Sequence, residues 1–139
     1  MRKDLNAKGL PNKKMNADVY KERRVVIDMI YRAKSLLRAN GIDMPRVDVR
    51  ITDREVGRTA LGMASIGGKS IWIPCDQLKK SYLYQVVLHE LCHALWGIGH
   101  DKRCKLMHPN LQSDLTPEIA EQLFVKYAVK SKKLALVTF

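Results

Sequence analysis

The chain has 139 residues, 46% of them hydrophobic, and a formal net charge of +11. That length suits one domain with a real core rather than two, and no run approaches the roughly 18 apolar residues of a membrane span, so membrane insertion is not expected. The excess of Lys and Arg favours polyanions in general, but much of it lies at Arg2 to Lys14 and Lys126 to Lys133, which predicts weak, nonspecific nucleic-acid binding through basic tails.

Residues 1–17 are polar, basic and without period, as expected of a flexible arm. Met1-Arg2-Lys3 is followed by Asp4, Asn6 and Lys8 where a secretion signal would turn apolar, so a cytoplasmic location is expected. Cys75, Cys92 and Cys104 form no disulfide-framework spacing and suit idle thiols. From Asp18 to Asn40, Val19, Val25, Val26, Met29, Ile30, Ala33, Leu36 and Leu37 recur at helical spacing, with Asp18 as N-cap and Asn40-Gly41 as the stop. Val47 to Ile51 alternates like a half-buried strand. After an Asp53 to Arg58 loop, Thr59 to Ile66 reads as a weaker strand diluted by Gly62. Gly67-Gly68 makes a turn, and Ser70 to Ile73 is a short strand ended by Pro74. A helix is predicted over Ser81 to Trp96, ended by Gly97 and Gly99. A last helix opens at Thr116-Pro117 and runs to about Val129. These elements indicate an α+β domain over 18–130, with 131–139 as a C-terminal tail.

The predicted helix before Gly97 contains His89-Glu90-Leu91-Cys92-His93. Helix positions four apart are offset by about 40° and rise about 6 Å, so both imidazoles project side by side and can share one zinc ion. Glu90 stands beside such a metal, where it can take a proton from an activated water and later hand it to a departing amine. An ordinary amphipathic helix with two packed histidines and a solvated glutamate would have the same five residues. The helical context and the confinement of His89, His93, His100 and His108 to a stretch of 20 residues favour the metal. A third ligand must come from beyond the helix. The candidates there are His100, Asp101, Cys104 and His108, of which Asp101 also suits an ordinary loop residue. Cys92 suits a core position, and Trp72 and Trp96 suit packing.

The segment His89 to His100 resembles the metzincin zinc peptidases, whose signature is HExxHxxGxxH with a methionine turn downstream, and most of all their matrixin branch. Leu106-Met107-His108-Pro109 is similar to that turn, and Leu115 to Ala120 to the start of the matrixin C-terminal helix. Ala64 to Ile73 is similar to the hairpin carrying the substrate-aligning edge strand. The resemblance implies a compact zinc-peptidase domain: a small mixed sheet, an N-terminal helix, an active-site helix and a C-terminal helix. It implies one catalytic zinc on His89, His93 and His100, Glu90 as general base and then acid, and Met107 beneath the metal. An extended protein or peptide substrate would pair with Ser70 to Ile73.

The chain departs from the signature in having Ala94, Leu95 and Trp96 where the family has two residues. One extra residue turns a helix by about 100°, so the chain must leave it differently to return His100 to zinc. Intracellular DNA–protein crosslink proteases are similar in having HExxHxxxG followed by His-Asp. Two rival functions are a protease acting on nucleic-acid-bound proteins and a non-catalytic, zinc-stabilised nucleic-acid-binding module. Glu90 separates them, because a structural zinc site has no use for an acid–base residue.

Overall fold

A computed structural model describes residues 13–53 and 60–137, with side chains described over 21–53 and 60–132. The first helix, α1, spans Lys13–Ala39. It therefore begins five residues before Asp18, which lies inside it rather than at its cap. Pro11 is the last helix breaker in the sequence before this segment, and nothing from Lys13 to Ala17 opposes a helix. Val26, Ile30, Ala33 and Leu37 form its buried stripe. At its end Gly41 takes φ 74°, Ile42 N–H bonds Leu37 O at 2.9 Å and Gly41 N–H bonds Arg38 O at 3.0 Å. This pair of bonds satisfies carbonyls the helix leaves open, and only glycine reaches that φ without strain.

Three strands form a mixed sheet in the order β1 (Asp48–Thr52), β3 (Ser70–Pro74), β2 (Met63–Ala64). β1 runs parallel to β3, pairing Val49 with Ile71 and Ile51 with Ile73, and β2 runs antiparallel, pairing Met63 with Trp72. The expectation that Ser70 to Ile73 forms an edge strand is corrected here. β3 is central, with Ile71 and Ile73 fully buried and neighbours on both sides, so its backbone is not free to pair with another chain. The outer strand on the other side of β3 from β1 is β2, which is much shorter than the expected Thr59 to Ile66. Thr59 and most of the expected Asp53 to Arg58 loop lie outside the described residues.

A 3-10 turn over Cys75–Gln77 leads to α2, Leu83–Trp96, which starts two residues later than expected. Leu83, Val86, Val87, Leu91 and Ala94 are buried, as their spacing predicts, and so are Leu88 and Cys92. α2 contacts β2, β3, α1 and α3, so it is the central element of the core. The β2–β3 turn holds its end: Gly67 N–H bonds His93 O at 2.9 Å and Lys69 N–H bonds Ala94 O at 3.1 Å. Lys69 N–H thereby satisfies the Ala94 carbonyl in the last helical turn, and Gly67 N–H adds a second bond to His93 O, which also accepts Gly97 N–H.

The final helix, α3, spans Pro117–Val137, passing well beyond Val129 and through most of the expected tail. Thr116 caps it, its Oγ1 accepting Ile119 N–H at 3.2 Å, with Pro117 at the first helical position. Ala120, Phe124 and Ala128 are buried, and Trp96 packs on Phe124 with ring centroids 5.1 Å apart. A polar network also joins the helices. Glu121 accepts Tyr84 O–H at 2.6 Å and both Arg32 Nε (3.2 Å) and Nη2 (3.1 Å). Among the described residues no helix is long and apolar enough to cross a membrane.

Candidate metal centre

His89 and His93 lie one turn apart on α2, and their Nε2 atoms approach to 3.1 Å. After Trp96 the helix stops at Gly97, which takes the left-handed conformation (φ 64°, ψ 23°) with its N–H on His93 O at 3.1 Å. The extra residue before Gly97 is absorbed as helix, and the reversal at Gly97 then carries the chain back. His100 Nε2 arrives 3.3 Å from His89 Nε2. The ligand-capable atoms of His89, His93 and His100 all lie within 4.8 Å of one another.

Backbone carbonyls set the direction of two rings. His89 Nδ1 lies 2.6 Å from Leu106 O and His93 Nδ1 lies 2.5 Å from Ile98 O. A carbonyl only accepts, so each Nδ1 carries the proton and donates it, leaving Nε2 with its lone pair facing the other ring. Two lone pairs at this separation repel unless a cation lies between them. Nitrogens bound at about 2.0–2.1 Å around a tetrahedral ion would stand about 3.3–3.4 Å apart, close to the 3.1 Å and 3.3 Å that separate His89 Nε2 from His93 Nε2 and His100 Nε2, so the cluster could hold a metal ion. Burial, helped by the neighbouring His93 and His100 imidazoles, pushes His89 down to about 4 against the opposing Leu106 hydrogen bond. His93 is lowered by burial too, so both rings are neutral and ligand-competent near pH 7.

Glu90 is buried, which alone pushes its carboxyl up to about 7. Its Oε1 lies 3.7 Å from His89 Nε2, beside the imidazole cluster. The strand entering β2 passes close over it: a Cβ on Gly62 would lie 3.0 Å from both Glu90 Cγ and Val86 Cγ1. His89, Glu90 and His100 border a cleft of ≈ 450 Å³ whose other walls include Leu61, Gln85, Lys105, His108 and Leu115.

The other candidates go elsewhere. Asp101 accepts Arg103 N–H at 2.9 Å and Arg103 Nε at 3.3 Å. His108 lines the cleft, but its Nδ1 accepts Asn110 N–H at 3.0 Å and it is outside the cluster. Cys104 is half-buried against the core, Cys92 is fully buried, and all three cysteines are free thiols. Met107 is fully buried in the core, and its carbonyl accepts Asp101 N–H at 2.9 Å, closing the loop that presents Leu106 O to His89. Trp72 is half-buried on β3.

Reading the side chains did not find Leu106, Ile98 or Gly62. The first two act through carbonyls, which carry no residue signature, and Gly62 acts by lacking a side chain. Comparison with protein-family models, curated proteins and solved structures returned no match.

Proposed function

We propose that the chain is a zinc-dependent endopeptidase of metzincin type, with the metal on His89, His93 and His100 and Glu90 as general base and acid. The observation that carries this is the convergence of three imidazoles beside one buried carboxylate at the wall of an open cleft. Zinc held by these three histidines would supply a Lewis acid able to polarise a carbonyl and to bring the pKa of a water to roughly 7. Leu106 O and Ile98 O keep the His89 and His93 rings in the tautomer and orientation that ligation requires. Glu90 Oε1 receives the proton of the attacking water and returns it to the leaving amine. The outer edge of β2 is the place for an extended peptide, which would add main-chain hydrogen bonds there and seat a side chain in the cleft.

A purely structural zinc would leave the burial of Glu90 against the cluster unexplained. The discriminating experiment measures zinc content and turnover of an unfolded protein substrate for wild type and Glu90→Gln. The variant should keep about one zinc and the wild-type circular dichroism while turnover falls by at least about 10²-fold, the lower end for a lost general base. Unchanged turnover by the metal-loaded variant would overturn the assignment.

A further inference from the structure

The positive charge outside the histidine site is unevenly placed. The loop that follows His100 carries Lys102, Arg103 and Lys105 against two acids, Asp101 and Asp114, of which Asp114 is paired with Lys105. Arg103 engages Asp101 through both its backbone and its side chain, and Lys130 of α3 also acts on it, so the loop and this face of α3 are neighbours. Lys126 lies one turn before Lys130, and both are exposed. From Gln122 onward the chain contains no acid, and Glu121 is engaged by Arg32 and Tyr84. Lys69, in the β2–β3 turn, is held at the same end of α2 by its bond to Ala94 O. Lys105 belongs both to this rim and to the wall of the cleft.

Complementing the helix dipole accounts for lysines late in α3. It does not account for Lys102, which is exposed in a loop where Arg103 is paired with Asp101 and Lys105 with Asp114. Among the described residues none of the exposed large apolar side chains falls on the rim loop 102–105 or at 126–130, so that part of the surface offers charge without a lipid-inserting side chain; the turn that carries Lys69 also exposes Ile66. Such a strip suits a partner of dense, regular negative charge. Duplex DNA carries one charge per roughly 1.7 Å of axis, and neutralising it releases counterions.

We propose that the rim formed by Lys69, Lys102, Arg103, Lys105, Lys126 and Lys130 binds the phosphate backbone of nucleic acid, alongside the histidine cleft. Lys126 and Lys130 open the basic segment Lys126 to Lys133, and Lys69 and the 102–105 loop extend its charge to the cleft; the surface stands independently of the peptidase assignment. The binding is sequence-independent, and it places the cleft beside whatever protein occupies the same nucleic acid.

The test uses the full chain and fluorescein-labelled DNA, a 20-nucleotide single strand and its duplex, with anisotropy read between 50 and 200 mM salt. Lys102→Gln/Arg103→Gln and Lys126→Gln/Lys130→Gln each remove two rim charges. Lys79→Gln/Lys80→Gln removes the same charge just before α2, about 20 Å away along that helix. Each rim variant should weaken binding about 10-fold at 50 mM salt and flatten the slope of log affinity against log salt by about 1.8 on the duplex. The Lys79/Lys80 variant should change affinity less than about 3-fold, and Glu90→Gln should bind like wild type whether or not it has lost a peptidase activity. Absence of binding at 50 mM salt, or equal losses in the rim and control variants, would overturn the proposal.

Discussion

Adding one methyl group at Gly62 tests how Glu90 is held. A Cβ at this position would meet Glu90 Cγ and Val86 Cγ1 at 3.0 Å and Ile73 Cδ1 at 3.3 Å. Carbon atoms settle at about 3.5–4.0 Å, so the neighbours must retreat by roughly half an ångström. Ile73 is fully buried and Val86 nearly so, and both are β-branched and stiff. Glu90 has the more adaptable side chain, with the cleft beside its far end, so it yields first. Overpacking of this kind costs about 1–3 kcal/mol, and each kcal/mol lowers the melting temperature of a domain this size by about 4 °C. A 1 Å misplacement of reacting groups can cost about 10²-fold, so a shift of half that size should lower kcat about 10-fold with KM little changed. The assay pairs thermal melts followed by circular dichroism with zinc stoichiometry and steady-state turnover of Gly62→Ala. Zinc should remain bound, because no Nε2 atom is touched. A variant that melts and turns over like wild type would refute the close contact as the determinant of the Glu90 position.

His100→Ala should release zinc to a weak chelator and abolish turnover together, whereas Asp101→Ala, His108→Ala and Cys104→Ser should hold the metal; the reverse pattern would leave only the helix pair as ligands. Metal removal should also register as lost stability: zinc at about 1,000 times its dissociation constant stabilises the fold by about 4 kcal/mol, so a chelator should lower the melt of wild type and leave His93→Ala almost unmoved. Burial raises the Glu121 carboxyl, but the hydrogen bonds from Tyr84 and Arg32 and the Arg32 charge outweigh it and hold it below the usual carboxylate range. A depressed carboxyl contributes stability above its unfolded pKa and loses that contribution as pH falls through the folded one. Glu121→Gln should therefore be less stable at pH 7 by about 1.5 kcal/mol in urea unfolding, with the gap closing below about pH 4; a gap independent of pH would exclude the ionised network as its source.

What this sequence determined by itself is what depends on neighbours a few residues away. Buried stripes at Val26, Ile30, Ala33 and Leu37, the stop at Gly41, the Thr116-Pro117 cap and the side-by-side His89 and His93 all follow from helical period and local backbone chemistry. The start of α1 carries no local mark, because Asp18, a good capping residue, lies five residues inside the helix. Tertiary structure decided what depends on partners far along the chain. Strand order is one case, since Ile71 and Ile73 show that β3 is buried but not which strands flank it. The return of His100 is another, because a glycine permits a reversal without specifying where it leads. The hold of Leu106 O on His89 and the passage of Gly62 over Glu90 come from a carbonyl and from a missing side chain, and both take effect only when distant segments pack together.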